Sequence, residues 1–316
     1  MSQYILRRIL FIIPVALIVC LMTFMIIHLI PGDPARVLLG EDATPQSVAA
    51  LRQQLGLDQP LPTQFGLWFW QALHGNLGDS IQLQQPVVQA ILQRIPVTAE
   101  LGLVSLLYSL AIAVPLGIYA ATRRNTWIDW VVNVLSLLGT AIPGFVLGLL
   151  LILFFAVFIR IFPPGGYVPF SDDPLGNIRD LILPVITLGT AAVAGNMRQI
   201  RASMIEALSQ DYVRTARAKG LPDRKVYYIH ALRNAVLPVV TIVGLQVGSI
   251  IAGAFIVETI FLWPGIGQLA VNSILSKDYP IVQGVVLIAA LSYMIANLLV
   301  DVSYVFFDPR IRFDKQ

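Results

Sequence analysis

Charge is scarce in this chain. Only 12% of its 316 residues are Asp, Glu, Lys or Arg, whereas a soluble domain carries roughly 25%. So little charge leaves too little polar surface to face water, which argues against a soluble globular protein. The apolar residues make up 57% of the chain and fall into long uncharged blocks, the pattern of membrane-spanning helices.

Cysteine and catalytic motifs are also scarce. Cys20 is the only cysteine, so no internal disulfide can form. The three histidines have no metal-ligand spacing, and we predict no metal site. The chain lacks a Gly-x-x-x-x-Gly-Lys-Ser/Thr phosphate loop and the His-Glu-x-x-His and Gly-x-Ser-x-Gly motifs, so we predict that it is not an enzyme and holds no cofactor. Its basic residues lie between apolar blocks rather than in one patch, which argues against a nucleic-acid partner.

Six stretches without Asp, Glu, Lys or Arg are long enough, or nearly so, to cross a bilayer, which takes about 20 apolar residues. They are residues 9–30, 101–121, 131–159, 181–197, 234–257 and 279–300. The first exceeds the apolar core of a signal peptide and has no cleavage site after it, so we expect a retained helix. The third contains Pro143 followed by glycine, which predicts a kink or tilt. The sequence therefore predicts an all-α membrane protein with six transmembrane helices.

The distribution of Lys and Arg predicts the orientation. Basic residues are concentrated in 198–233 and near both termini, which places both termini in the cytoplasm. We expect residues 1–30 to form an N-terminal segment and the first helix, and 31–97 an external region of short helices and turns. Residues 98–305 would then form a five-helix core with the cytoplasmic loop 198–233, and 306–316 a cytoplasmic tail.

The cytoplasmic loop contains signals for a short helix with defined ends. Asp211 is a favoured N-cap residue, and residues 212–219 suit two helical turns. Gly220 lies where a left-handed residue ends a helix, and Pro222 prevents its continuation. Asp223 can then cap a further helix that runs into the fifth span.

One face of this predicted helix is small. Val213, Ala216 and Gly220 fall on it by helical spacing, and basic side chains surround it, namely Arg214, Arg217 and Lys219. Small residues would let the backbone of a partner protein approach closely, with the cations orienting it. The pattern equally suits a helix that rests on anionic lipid headgroups.

Several motifs carry a family resemblance. In the loop, Thr-Ala-Arg-Ala-Lys-Gly at 215–220 and Leu-Arg-Asn-Ala-x-x-Pro at 232–238 are similar to the loop of peptide-importer permeases. Elsewhere the chain has Pro-Gly-Asp-Pro at 31–34, Leu-Gly-Leu-Asp-Gln-Pro at 55–60, Gly-Asn-Leu-Gly-Asp-Ser at 75–80, Trp-Pro-Gly-Ile-Gly at 263–267, Asp-Tyr-Pro at 278–280 and Asp-Pro-Arg-Ile-Arg at 308–312. In this order, over nearly the whole chain, they resemble the B-type permease of dipeptide, oligopeptide and glutathione ABC importers, a family that also serves nickel chelates. The Glu, Ile and Pro of the general ABC permease loop are not matched.

The resemblance implies a type I ABC importer permease that forms half of a translocation pathway. Implied partners are a second, C-type permease, two ABC ATPase subunits that bind ATP and Mg, and an external or periplasmic substrate-binding protein. The implied location is the cytoplasmic (inner) membrane of a bacterium or archaeon, where the chain is surrounded by the lipid bilayer. The loop helix would be the coupling helix that contacts an ATPase, with the residues Asp211, Tyr212, Val213, Arg214, Thr215, Ala216, Arg217, Ala218, Lys219 and Gly220.

Polar residues within the spans are candidates for lining the pathway, although such residues usually form hydrogen bonds between helices. The selected candidates are Asn196, Thr241, Gln246, Ser249 and Asn297. The turn that begins Trp263, Pro264, Gly265 would either cap the external mouth of the pathway or anchor a tryptophan at the membrane interface.

Two further function classes are less well supported. An ion-coupled secondary transporter would usually carry an ionisable residue near the middle of the bilayer, and all six predicted cores lack one. An intramembrane enzyme would need a catalytic motif, and none is found. The sequence does not reveal which solute is carried.

Overall fold

The structure, a computed structural model, describes residues 2–29, 34–39, 43–54, 56–232, 235, 246 and 253–307. Regular structure in this part of the chain is helical apart from one isolated bridge between Asp79 and Pro86. The chain divides into two compact units, Met1–Thr98 with Pro264–Ile295, and Ala99–Trp263 with Ala296–Gln316. The predicted all-α class therefore holds for the described residues.

The first unit contains the predicted external region and the first span. Its helices are α1 (Ser2–Leu29), α2 (Pro34–Leu39), α3 (Pro45–Gln54), α4 (Leu61–Leu73) and the start of α5 (Val87–Thr122). From later in the chain it adds α12 (Ile266–Leu275) and most of α13 (Tyr279–Phe307). Within this unit α4 packs against α1 through His28, whose Nε2 lies 3.0 Å from Gln64 Oε1.

The second unit contains the rest of α5 and the helices that follow it. These are α6 (Trp127–Ala141), α7 (Gly144–Leu151) with the π-helical continuation Ile152–Phe158, and α8 (Pro174–Leu208). Next come α9 (Asp211–Ala218), α10 (Asp223–Lys225) with the π-helical continuation Val226–Ala231, and α11, formed by residues 253–260.

Three described helices are long and apolar enough to cross a membrane: α5, α8 and α13 over Tyr279–Leu298. The pair Trp127–Ala141 and Gly144–Phe158 makes a fourth if it is one bent span, and α1 has a shorter apolar stretch, Leu10–Met25. Most of the predicted fifth span, 234–257, lies outside the described residues. The helix α8 has 35 residues and is about 52 Å long. It exceeds the roughly 30 Å hydrocarbon core, and residues 198–208 of the predicted loop are its continuous extension.

The kink predicted in the third span is a complete break. Helix α6 ends at Ala141, Pro143 is extended with ψ 135°, and α7 starts at Gly144. The two helical pieces are bent by 97°. Proline removes a backbone donor and disfavours helical backbone in the residue before it, Ile142, which has ψ 118°.

Small residues set the packing of α5, α6 and α8. A Cβ on Gly117 of α5 would lie 2.9 Å from Cβ of Ile200, and one on Gly139 of α6 would lie 3.0 Å from Cβ of Ala194. Both Ile200 and Ala194 belong to α8. Close approach of this kind is how helices associate where water provides no driving force, and it makes these three helices one packed body.

Candidate functional site: the cytoplasmic loop helix

The loop helix α9 begins one residue earlier than the capping prediction requires. Its N-cap is Gln210, which is extended and makes no side-chain capping bond, while Asp211 is already the first helical residue. The prediction that Asp211 is the N-cap is therefore wrong. The reason is that α8 persists to Leu208, so that the turn at 209–210 provides the extended residue. Asp211 instead places a negative charge at the positive end of the helix dipole, where it is favourable.

The C-terminal end of α9 confirms the prediction for Gly220. This glycine has φ +77°. Its N–H donates to the carbonyl of Arg217 at 2.9 Å, and the N–H of Leu221 donates to the carbonyl of Ala216 at 3.3 Å. These two bonds form a Schellman motif, in which the left-handed residue allows the chain to reverse onto the last carbonyls. Pro222 follows directly and ends the helix.

The segment after α9 is tied back to it. The helix α10 begins at Asp223 with Pro222 as N-cap, so the predicted cap at Asp223 is again displaced by one residue. Arg217 Nε lies 3.5 Å from Asp223 Oδ1, and its guanidinium lies 6.0 Å from the centroid of the Tyr227 ring. An exposed ion pair of this kind contributes only about 0–1 kcal/mol, so it orients Arg217 more than it stabilises α9.

The apolar face of α9 is covered by its own chain. Val213 is fully buried and Ala216 is 6% exposed, and both pack against Val226 with Leu208 and Leu221 at the edge. The expectation that a partner protein approaches this small face is therefore wrong. A helix of two turns is unstable alone, so α9 needs this face for its own folding, and burial of Val213 contributes roughly 1.5 kcal/mol or more.

The opposite side of α9 is exposed. We define the outward face as Asp211, Arg214, Thr215 and Ala218, which follow the i, i+3, i+4, i+7 spacing of one helical face and are all exposed. The side chains of Asp211 and Arg214 are 94% and 78% exposed and lie 3.4 Å apart. Tyr212 and Lys219 flank this face and are also exposed. Its centre is polar and small, with one charge of each sign.

Among the predicted pathway residues, Asn196 is buried between helices. Its Nδ2 donates to Gln246 Oε1 at 3.0 Å, and Gln246 Nε2 donates to Asn196 Oδ1 at 2.8 Å. This reciprocal amide pair is the helix–helix hydrogen bonding expected of polar residues in a membrane. Asn297 is half-buried. Thr241 and Ser249 lie outside the described residues.

A cavity of about 520 Å³ lies beside the break between α6 and α7. The break itself contributes Pro143 and Gly144, and α8 contributes Thr187 and Ala191. Gln246 also lines it. No ionisable side chain is among its lining residues in the described part of the chain. Of the pathway candidates that the structure describes, Gln246 lines this cavity.

The first residue of the predicted external turn, Trp263, packs within the second unit. Trp263 is fully buried, and its ring packs edge-on against Tyr167 with the centroids 4.6 Å apart. The alternative of an interfacial tryptophan anchor is therefore wrong. The hydroxyl of Tyr167 donates to Glu100 Oε2 at 3.2 Å, and burial together with this carboxylate raises the pKa of Tyr167. In the first unit, Pro264 is half-buried and Gly265 is buried.

Two of the sequence motifs meet in the first unit. Asp278 is buried and accepts hydrogen bonds from the Ser80 hydroxyl at 2.5 Å and from the N–H of Gln82 at 3.2 Å. Hydrogen bonds thus join the motif at 75–80 to the motif at 278–280. The sequence did not predict this contact, because the two motifs are far apart along the chain.

A partly buried ion pair was missed by the sequence prediction. Arg201 of α8 donates through Nε and Nη2 to the two carboxylate oxygens of Asp129 in α6, the second contact at 2.8 Å. Asp129 lies just before an uncharged stretch and Arg201 lies within a basic cluster. Each was therefore interpreted as a charged residue at the end of a membrane span. Across the part of the chain that the structure describes, His, Cys, Asp and Glu form no group of three that could hold a metal ion.

Comparison with known proteins gives matches along the whole chain. Residues 113–313 match the family of binding-protein-dependent transport system inner membrane components, and residues 1–102 match the N-terminal family of such membrane components. The chain is 43% identical, over 99% of its length and 100% of the relative, to a peptide transport system permease protein of Brucella abortus (strain 2308).

Two further relatives have named substrates. The dipeptide transport system permease protein DppB of Escherichia coli (strain K12) is 41% identical, with both chains covered completely. The glutathione transport system permease protein GsiC of Salmonella choleraesuis (strain SC-B67) is 42% identical, over 99% of this chain and 100% of the relative.

Proposed function

We propose that this chain, which belongs to the family of binding-protein-dependent transport system inner membrane components, forms half of the membrane pathway of an ATP-driven importer for di- and oligopeptides or related solutes. Relatives named for peptide, dipeptide and glutathione transport, each aligned over nearly its whole length, support this substrate class. Membership of this family argues against the alternative function, an ion-coupled secondary transporter. The solute within this class is a matter for transport assays.

The assembly that we propose has four kinds of partner around this chain. A homologous C-type permease completes the pathway, two ATPase subunits bind ATP and Mg beneath it, an external binding protein delivers the solute, and the lipid bilayer surrounds the spans. The chain itself would cross the inner membrane of a bacterium or archaeon six times, with both termini in the cytoplasm. Hydrolysis of ATP belongs to the partner subunits.

The observation that carries the proposal is the construction of α9. Its inner face is buried against its own chain, its C-terminal end is closed by Gly220, and its outward face is free of contacts that would bury it. A short helix held on one side and exposed on the other moves as a rigid piece with its neighbours. We assign the outward face, rather than the small face around Val213 and Ala216, to contact with an ATPase subunit.

Substitution of Ala218, at the C-terminal end of the outward face, tests this assignment. Ala218→Trp adds a large side chain at an exposed position, so it leaves the folding of α9 intact but blocks close approach by a partner. We expect the amount of ATPase subunit that co-purifies with the complex to fall by about tenfold or more, since a bulky side chain that disrupts well-packed interface contacts costs about 2 kcal/mol or more. Ala49→Trp makes the same change at an exposed position of α3 and should leave co-purification unchanged.

Retention of the ATPase subunits by the Ala218→Trp variant at the wild-type level would contradict the docking role. Uptake by membrane vesicles should be measured in parallel, with a radiolabelled dipeptide and radiolabelled glutathione as separate probes. Uptake that continues without ATP and stops with a protonophore would overturn the ABC assignment itself.

The proposed orientation has its own test. In a Cys20→Ser background, Arg224→Cys and Leu73→Cys each place a single thiol at an exposed position. A membrane-impermeant maleimide should label Leu73→Cys in intact cells and should label Arg224→Cys, which lies outside the outward face, only after the membrane is opened. The reverse pattern would invert the topology.

A further inference from the structure

The carboxylate of Asp129 is saturated with hydrogen bonds. Besides the two from Arg201, it accepts one from Asn133 Nδ2 at 3.1 Å and one from the backbone N–H of Asn125 at 3.1 Å. The side chain of Asp129 is 5% exposed and that of Arg201 is 22% exposed. Paired guanidinium–carboxylate bonds fix both distance and orientation, so this contact specifies how α8 lies on α6.

The network also includes the turn before α6. Asn125 has φ +63°, a conformation that Asn adopts more readily than most residues, and its N–H is held by Asp129. Three elements therefore meet at one carboxylate: the turn between α5 and α6, the first turn of α6, and the extension of α8 toward α9. Each of them would have to move if the carboxylate moved.

The helices on either side of the ion pair lead to different places. Along α8, the chain passes from Arg201 through Leu208 directly into α9. Along α6, it passes from Asp129 to Ala141 and then to the break at Pro143, which lines the cavity. The 15 residues of α6 span about 22 Å. The ion pair thus joins the element that leads to α9 with the element that ends at the cavity.

We propose that Asp129 and Arg201 are positioning residues that transmit displacement of α9 to α6 and so to the break that borders the cavity. The inference rests on the proposed function, because it takes α9 to be the element that the ATPase moves. Without the pair, the small-residue packing of Gly139 against Ala194 still holds α6 on α8, but the end nearest α9 is free to slide. Hydrolysis of ATP then continues, but fewer solute molecules are imported for each ATP hydrolysed.

The test uses the full transport complex, reconstituted in proteoliposomes, with three variants of the pair: Asp129→Asn, Arg201→Gln and the double substitution. Each single variant leaves one buried or partly buried charge without its partner and is expected to lower the amount of complex in the membrane. The double variant removes both charges and is expected to assemble closer to the wild-type level. The readout is the ratio of ATP hydrolysed to radiolabelled dipeptide imported.

We expect the double variant to raise this ratio by about twofold to thirtyfold, the span of coupling changes that substitutions within a contact network cause. Asp58→Asn is the matched control, since it makes the same chemical change in the exposed pair with Arg52 and should leave the ratio unchanged. An assembled double variant with the wild-type ratio would overturn the inference. So would ATP hydrolysis and import that fall together with the amount of complex, since a merely structural role predicts that result.

If the double variant does not accumulate in the membrane, the Arg201→Lys variant provides the test of the proposal. Lysine keeps the positive charge but replaces the planar fork with a point charge, so the ratio should rise while the complex still assembles. A wild-type ratio in Arg201→Lys would then overturn the inference. Failure of the proposed function is recognised separately, because it is reported by ATPase co-purification with the Ala218→Trp variant and does not involve the pair.

Discussion

Substitution of Gly220 separates the conformational requirement at the end of α9 from any steric one. A Cβ added at this position would meet no atom within 4 Å, while its φ is +77°. The penalty for alanine is therefore conformational, about 1–2 kcal/mol. That amount shifts the balance between a formed and an opened C-terminal turn by roughly 5- to 30-fold.

Three substitutions of Gly220 are expected to have effects of increasing size. Gly220→Asn should be nearly neutral, since Asn tolerates the left-handed conformation. Gly220→Ala should speed hydrogen exchange of the amides in 213–219 by roughly 5- to 30-fold. Gly220→Pro fixes φ near about −65° and removes the N–H that bonds the carbonyl of Arg217. It should abolish uptake while the protein remains in the membrane.

The measurement is hydrogen exchange by mass spectrometry on the assembled complex, with dipeptide uptake recorded for each variant. Gly75→Ala is the matched control, because Gly75 has φ +78° and open space around it but lies in the first unit. It should leave exchange in 213–219 unchanged. Equal exchange in Gly220→Ala and wild type, or normal uptake by Gly220→Pro, would refute the account of how α9 ends.

Three further substitutions probe other contacts. Val213→Ala should speed exchange across α9 by an amount equivalent to about 1–2 kcal/mol, and unchanged exchange would mean that its inner face is not packed. Asp278→Asn weakens the bonds to Ser80 and Gln82 by about 1–3 kcal/mol and should increase proteolytic cleavage within 79–85, whereas equal cleavage would contradict a stabilising role for these bonds. Tyr167→Phe should lower the unfolding temperature by the equivalent of about 1 kcal/mol. Because the pKa of Tyr167 is raised in the folded chain, its stabilising effect is present below about pH 10 and lost above it. The wild type should therefore lose stability more steeply above this pH than Tyr167→Phe, and parallel curves would contradict that.

The sequence predicted the helical class and the position of the break because both follow from local chemistry. Uncharged stretches mark spans, and Pro143 followed by Gly144 marks the point where α6 gives way to α7. Proline alone does not predict a break, because Pro184 lies inside the continuous helix α8. Helix ends were predicted less well. Both α5 and α8 extend beyond their uncharged stretches, because a helix that leaves the hydrocarbon can continue in water, as α8 does with Arg198 exposed on its surface.

The loop helix shows where pattern reasoning succeeds and where it does not. Gly220 was identified correctly, since a glycine closely followed by a proline is typical of a helix C-terminus. The face around Val213 and Ala216 was assigned to a partner because its residues are small, yet the same residues suit packing against Val226. Spacing alone cannot distinguish burial by the same chain from burial by another. It follows that Ala216→Arg should abolish uptake by displacing α9. Arg214→Ala shortens one outward-face side chain without displacing the helix and should have a smaller effect.

The contacts Asp129–Arg201 and Ser80–Asp278 were invisible to the sequence for a further reason. In each, the two partners are far apart along the chain, and a single charged or polar residue at a helix end commonly has only a local role. Only the packing of α6 on α8, or of 79–82 on the residue before α13, makes them pairs.

The central claim is that the outward face of α9 touches an ATPase subunit, and crosslinking tests it most directly. A photo-activatable amino acid placed at Thr215, which is exposed on that face, should form an adduct with an ATPase subunit in the assembled complex. The same group at Ala49 of α3 should form none. Adducts of the Thr215 position with lipid alone, in a complex that contains the ATPase subunits, would contradict the claim.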